Sequence, residues 1–136
     1  MGGILSSLLG GGGGTSADSQ QSESAENSAV KTFHSSARWQ LHFNELKDSP
    51  RLVVIDFSAS WCGPCKMMEP IIHAMANDFT DVEFIKIDVD ELSDVAQEFK
   101  VQAMPTFVLL KKGKEVDKVV GAKKDELQNK IKKHRA

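Results

Sequence analysis

The sequence predicts an α/β domain with a mixed central sheet of about five strands flanked by about four helices. Three observations predict it. Strand and helix periodicities alternate from residue 30 onward, one stretch is apolar on both faces, and a hairpin pattern precedes a last helix. Strands joined through helices favour parallel pairing with right-handed crossovers, and the terminal hairpin adds antiparallel strands to the same sheet.

The elements follow in order. "VKTF" at 30–33 reads as a short strand, and Ser35 and Ser36 are both candidate caps for a helix carrying Trp39, Phe43 and Leu46 at spacings of four and three. "RLVVIDFS" at 51–58 is apolar on both faces, as a central strand covered on two sides must be. Met68, Ile71, Ile72, Met75 and Phe79 trace one helical stripe, which assigns the methionines to the core, and Pro70 is expected to bend that helix. "VEFIKIDV" reads as a strand, and Leu92, Val95, Ala96 and Phe99 mark a short helix. "TFVLLKKGKEVDKVV" gives two strands around Gly113. A last helix near 123–133 turns Leu127 and Ile131 inward, while its terminal lysines, His134 and Arg135 offset the helix dipole and solvate the end.

Composition bounds the function. Forty per cent apolar and 26% charged residues are ordinary globular values, and a formal charge of −2 gives no reason to expect a nucleic-acid partner. No apolar run approaches the roughly 20 residues of a membrane-spanning helix. Composition shifts near residue 30: Gly10 to Gly14 and "TSADSQQSESAENS" hold almost nothing that builds a core, so residues 1–29 are expected to be a flexible tail and 30–136 one compact domain.

Both cysteines lie in "DFSASWCGPCKMMEP", two residues apart. A disulfide between Cys62 and Cys65 would close almost no loop, so it would restrict the unfolded chain very little. Two cysteines in 136 residues also fit a reducing compartment better than a disulfide-stapled secreted domain. The pair therefore reads as chemistry. No metal is expected: a structural zinc needs four ligands, and His34, His42, His73 and His134 are scattered and read as surface or interface residues. Haem attachment fails because Lys66 follows where a histidine is needed. The predicted order of elements puts Cys62 beyond a strand's C-terminal end and at a helix N-terminus, whose free amides and dipole favour an anion. Cys62 should therefore ionise readily as an exposed nucleophile, while Cys65, facing inward, keeps its proton longer. Pro64 suits a first helical turn, because the amide hydrogen it lacks would be unpaired there.

"WCGPCK", an aspartate six residues before the first cysteine in "VVIDFSASWC", "MPT" at 104–106 and "VGA" at 120–122 together resemble thioredoxin over about residues 30–136. The opening "MGGILSS", with "SSARWQLHF" and "DELSDVAQEFKVQAMPTF", resembles more narrowly the plant type-h subgroup with an N-terminal extension. The resemblance implies the thioredoxin fold and protein-disulfide reduction by dithiol-disulfide exchange. Cys62 would attack the target and Cys65 would resolve the mixed disulfide, a step that close spacing makes intramolecular. It also implies disulfide-containing target proteins and recycling by a flavin-containing, NADPH-dependent thioredoxin reductase, so that the domain itself holds no cofactor. Glutaredoxin stays open as a second reductant.

The remaining residues carry two readings each. Asp56 is either a solvent-facing aspartate at a strand end or, as its neighbours Val53, Val54, Ile55 and Phe57 suggest, a buried acid of raised pKa; the resemblance favours the latter, as proton acceptor for Cys65. Lys86 is either solvated or, as in the family, reaches toward Asp56. An X-Pro bond is ordinarily trans, but the family's matching proline is cis, so the resemblance implies a cis Pro105 that faces the cysteines and discourages metal binding there. It further implies that the backbone of Met104 pairs with an extended substrate, and that Trp61, Gly63, Pro64, Met104, Pro105 and Gly121 form a shallow docking surface. Plain core packing is the alternative for Trp61, and the end of a strand for Gly121; Trp39 reads as packing.

Two rival functions use the same residues. An oxidase or isomerase would live in an oxidising compartment, yet no positively charged n-region opens the chain, whose first basic residue is Lys31, and the Gly-Pro pair resembles the reducing members. The other rival is a non-catalytic binding module with a cysteine switch. Finally, "MGGILS" fits the N-myristoylation pattern with Gly2 as candidate acceptor. One chain gives only marginal, reversible membrane binding, and the tail offers Asp18, Glu23 and Glu26 but no lysine, arginine or cysteine as a second signal. The expected location is the cytoplasm, shared with endomembranes if Gly2 is acylated.

Overall fold

A computed structural model describes residues 29–135. The expectations for the tail, Gly2 included, fall on residues outside that span, apart from Ala29. The element order is β1 (Val30–Phe33), α1 (Ser36–Leu46), β2 (Leu52–Ser58), α2 (Gly63–Asp78), β3 (Glu83–Asp88), α3 (Ser93–Glu98), β4 (Thr106–Lys111), β5 (Lys114–Val120) and α4 (Lys124–His134). The five strands form one sheet in the order β1-β3-β2-β4-β5. β3 runs parallel to both β1 and β2, whereas β4 is antiparallel to β2 and β5 to β4. This is the expected mixed sheet of five strands and four helices.

Burial explains why β2 is central. All seven of its residues are buried, which only a strand paired on both edges and covered on both faces can achieve. Strand alternation divides the core in two. Leu52 and Val54 join Phe84, Phe107, Met68, Ile72, Leu127 and Ile131 on one side of the sheet. Val53, Ile55 and Phe57 join Trp39, Ile85, Ile87, Val95 and Val108 on the other. Trp39 is fully buried against Phe33, Phe43 and Phe99, as its packing role requires.

The helix ends follow from local chemistry. Of the two candidate caps for α1, Ser35 takes the role, its hydroxyl accepting from the Arg38 amide at 3.1 Å, while Ser36 donates to Asp94 at 2.8 Å. Pro70 lies within α2, which continues through it from Gly63 to Asp78. α4 opens with Asp125 and Glu126 and closes with Lys132, Lys133 and His134, so charge complements the dipole at both ends. The sequence reading of this last turn needs one correction. His134 is not merely solvated: it pairs with Asp117 of β5 at 2.9 Å, and Lys111 donates to the His134 carbonyl at 2.8 Å. Lys130 adds a contact of 3.0 Å to Asp117. Partial burial works to raise the Asp117 pKa, but the hydrogen bonds from His134 and Lys130 hold it at about 2. The helix is thus tied to the edge strand by charge as well as by Leu127 and Ile131. Among the described residues, no helix is long and apolar enough to cross a membrane.

Candidate functional site

The parallel strands β2 and β3 end on the same side of the sheet, and the chain leaving β2 reaches Cys62 four residues later. Cys62 is the N-cap of α2. Its sulfur accepts from the Cys65 amide at 3.1 Å, occupying one of the donors that a helix start leaves free. Pro64 sits in that first turn, where its missing amide hydrogen costs nothing. Cys62 and Cys65 are joined as a disulfide.

Cys62 departs from expectation in one respect. It is 4% exposed and Cys65 is 6% exposed, so neither sulfur stands open in the oxidised protein. The reason is packing. Both cysteines are bonded to each other and nest against Ala59, with Val89 and Met104 closing around them. The Met104 carbonyl oxygen lies 3.6 Å from the Cys62 sulfur. In the reduced protein, a Cys62 thiol could donate to that oxygen.

What is exposed is the rim. Trp61 is 66% exposed, which rejects core packing for it, and its indole Nε1 donates to Asp90 at 2.9 Å. Asp90 lies in the turn that follows β3, where Asp88 accepts from the Asp90 and Glu91 amides. Gly63 and Pro64 are exposed beside Trp61. The Met104–Pro105 bond is cis. Thr106 donates to the Ala103 carbonyl at 2.5 Å across this turn, and the Gly121 amide donates to the Pro105 carbonyl at 2.8 Å. Gly121 has φ +103, a conformation open to glycine at little cost, so the end of β5 can approach Pro105. The structure therefore brings the Met104 carbonyl to the Cys62 sulfur and Gly121 to Pro105, which is itself buried, while Trp61, Gly63 and Pro64 flank Cys62 in the chain.

Behind the disulfide lies a cleft of about 360 Å³, lined by Asp56, Cys65, Lys66, Glu69, Lys86 and Asp88 among others. Asp56 follows Leu52 and Val54 on the face of β2 that α2 covers, and it is only 5% exposed. Its Oδ1 has no hydrogen-bond partner among the described residues. Burial pushes its pKa up to about 7, with the Lys86 ammonium pulling it down and the Glu69 carboxylate pushing it further up. The solvent-facing reading of Asp56 is thereby excluded.

Lys86 is the strand partner of Asp56 across β2 and β3, which places it for the second of its two readings, a reach toward Asp56. Its ammonium instead donates to Glu69 Oε2 at 2.5 Å, leaving Asp56 Oδ1 unpartnered. Sequence reasoning missed Glu69 and Asp90. Glu69 carries a readable signal, since it follows Cys65 by one helical turn; Asp90 carries none, because its contact with Trp61 depends on how two loops meet.

A site of this kind can do thiol-disulfide chemistry: a dithiol at a helix N-terminus, a backbone carbonyl beside the outer sulfur, and a buried acid behind the inner one. Comparison with known proteins points the same way. Residues 32–133 match the family model described as thioredoxin. Thioredoxin H2 of Arabidopsis thaliana is 62% identical over 136 residues, covering all of both chains. Thioredoxin H2-1 of Oryza sativa subsp. japonica is 57% identical over 109 residues, covering 80% of this chain and 79% of the rice protein. Among solved structures, thioredoxin NaTrxh of Nicotiana alata aligns with a TM-score of 0.79 and 72% identity, covering 80% of this chain and 95% of that one.

Proposed function

This chain belongs to the thioredoxin family, in its plant h-type branch, and from that premise we propose the following cycle for its thiol-disulfide oxidoreductase activity. In the reduced protein the Cys62 thiolate attacks one sulfur of a target disulfide. A mixed disulfide forms and one target thiolate leaves. Cys65 gives its proton to Asp56, directly or through water, and its thiolate attacks Cys62; the second target thiolate leaves, and Cys62 and Cys65 end as the disulfide. The target gains two electrons and the protein loses two. NADPH supplies them again through thioredoxin reductase, with glutaredoxin as a second donor, and the chain itself needs no cofactor.

The observation that carries this reading is the disulfide at the head of α2, with the Met104 carbonyl on one side and the buried Asp56 carboxyl, whose Oδ1 has no hydrogen-bond partner among the described residues, in the cleft behind. The exposed Trp61 rim and the turn at Met104 and Pro105 support a docking surface for an extended, disulfide-bearing segment, whose backbone pairs with Met104. Gly2 is read as acylated, and the protein as cytoplasmic with a share on endomembranes; the support is the sequence motif and the full-length kinship with an h-type protein.

The test mixes the full chain with NADPH, a plant thioredoxin reductase and insulin, and follows NADPH loss. Continuous turnover that stops in Cys62→Ser is expected. No turnover with wild type, but binding of targets all the same, would make the chain a binding module.

A further inference from the structure

We propose that Glu69 is a positioning residue of this site, holding the Lys86 ammonium away from the buried Asp56 carboxyl. The proposal deepens the reading of Asp56 as proton acceptor for Cys65 and rests on it. Lys86 and Asp56 are register partners on adjacent parallel strands, and both line the cleft. Neighbouring side chains on one face of a sheet with opposite charge attract each other. The default partner of Lys86 is therefore Asp56.

Glu69 changes that outcome. It lies four residues after Cys65, one turn along α2, and so shares its helix face. Its side chain is 46% exposed, against 5% for Asp56. A carboxylate at the rim keeps its charge at little solvation cost, whereas ionising the enclosed Asp56 is expensive. The ammonium accordingly sits on Glu69, at 2.5 Å, and Asp56 Oδ1 is left without a partner.

The other groups around Asp56 do not replace Lys86. From β3, Asp88 also lines the cleft, but its carboxylate accepts from the Asp90 and Glu91 amides. From α2, Lys66 and Cys65 also line the cleft, Lys66 being exposed, and the chain between β2 and α2 adds only the uncharged Ala59 and Ser60. From β4, the register partner of Asp56 is Phe107, which carries no charge. The field at Asp56 agrees with this account, because burial raises its pKa, Lys86 lowers it and Glu69 raises it. An acid held protonated until near neutral pH is a base of useful strength for a thiol, while one paired with Lys86 would ionise early and accept protons poorly.

The experiment follows the Asp56 carboxyl by carbon NMR through a pH titration of the full oxidised chain, in wild type, Glu69→Gln and Lys86→Gln. Both substituted side chains reach solvent. Glu69→Gln is expected to lower the Asp56 midpoint on the order of half a pH unit, about a threefold change in the protonation ratio at fixed pH, and by clearly less when made in Lys86→Gln, where the repelling Glu69 charge is lost but no ammonium is left to turn to Asp56. Lys86→Gln is expected to raise it. A Glu69→Gln midpoint equal to or above that of wild type overturns the proposal, and so does an equal downward shift on the Lys86→Gln background. The pH profile of mixed-disulfide resolution is then measured in Glu69→Gln. A profile that moves with the midpoint supports both the proposal and the reading beneath it. A midpoint that falls while the profile stays put supports Glu69 as the keeper of Lys86 and overturns Asp56 as the proton acceptor.

Discussion

Asp56 stands where the alternation of β2 provides for a third apolar side chain after Leu52 and Val54. The fold bears a cost for it. In the unfolded chain the carboxyl ionises near 3.8, in the folded chain near 7. Between those values the unfolded state has lost a proton that the folded state retains, so this group weakens the fold as pH rises from about 4 to 7, and the loss persists above. The full shift corresponds to roughly 4 kcal/mol at most. Asp56→Asn is therefore expected to stabilise the protein by about 1–3 kcal/mol at pH 8 and hardly at all at pH 4, read from denaturant midpoints at the two pH values. The same variant should slow mixed-disulfide resolution near neutral pH. Equal stabilisation at both pH values would mean that Asp56 carries no unfavourable charge when buried. The burial was legible, since its neighbours are apolar on both sides. The partner of Lys86 was not: residue type and strand register place Lys86 beside Asp56, and only the competing distance to Glu69 across the cleft decides where the ammonium goes.

Elements were the most legible level, because their signals are local. The five apolar residues of β2, the stripe on α2 and the glycine between two strands each depend on neighbours in sequence. The hairpin shows how closely local chemistry decides geometry. β4 and β5 are joined by only Lys112 and Gly113, both with positive φ, at 54° and 77°, the pattern that matches the right-handed twist of a two-residue hairpin. Gly113 also faces Lys47, where an added Cβ would come within 2.8 Å of Cγ. Gly113→Ala is expected to cost about 1–2 kcal/mol in denaturant stability. Its turnover should equal that of wild type, because the hairpin lies at the opposite end of the sheet from Cys62. A loss of activity in folded Gly113→Ala would show that the two ends of the sheet are coupled. The charged links from β5 to His134 and Lys130 escaped the sequence for the opposite reason: they join residues that only the packed helix brings together.

At the scale of the molecule, the topology does the assembling. β2 delivers Asp56 and then the chain to Cys62 at one end of the sheet; antiparallel β4 starts at that same end, so Pro105, the residue before it, lies there, and β5 returns to bring Gly121 to Pro105. The arrangement leaves residues 1–28 far in sequence from the chemistry. If Gly2 is acylated, membrane attachment and exchange should separate cleanly: fractionation of plant cells is expected to show Gly2→Ala shifted from membranes to the soluble fraction, with insulin reduction unchanged. Identical partitioning of the two would refute the lipid anchor. The central claim, that Cys62 attacks and Cys65 releases, is tested most directly by trapping. Cys65→Ser, reduced and mixed with a disulfide substrate, is expected to accumulate a covalent adduct that mass spectrometry maps to Cys62 and that excess dithiothreitol dissolves, whereas Cys62→Ser gives none. An adduct formed equally well through Cys65 in Cys62→Ser, or none in either variant, would contradict the account.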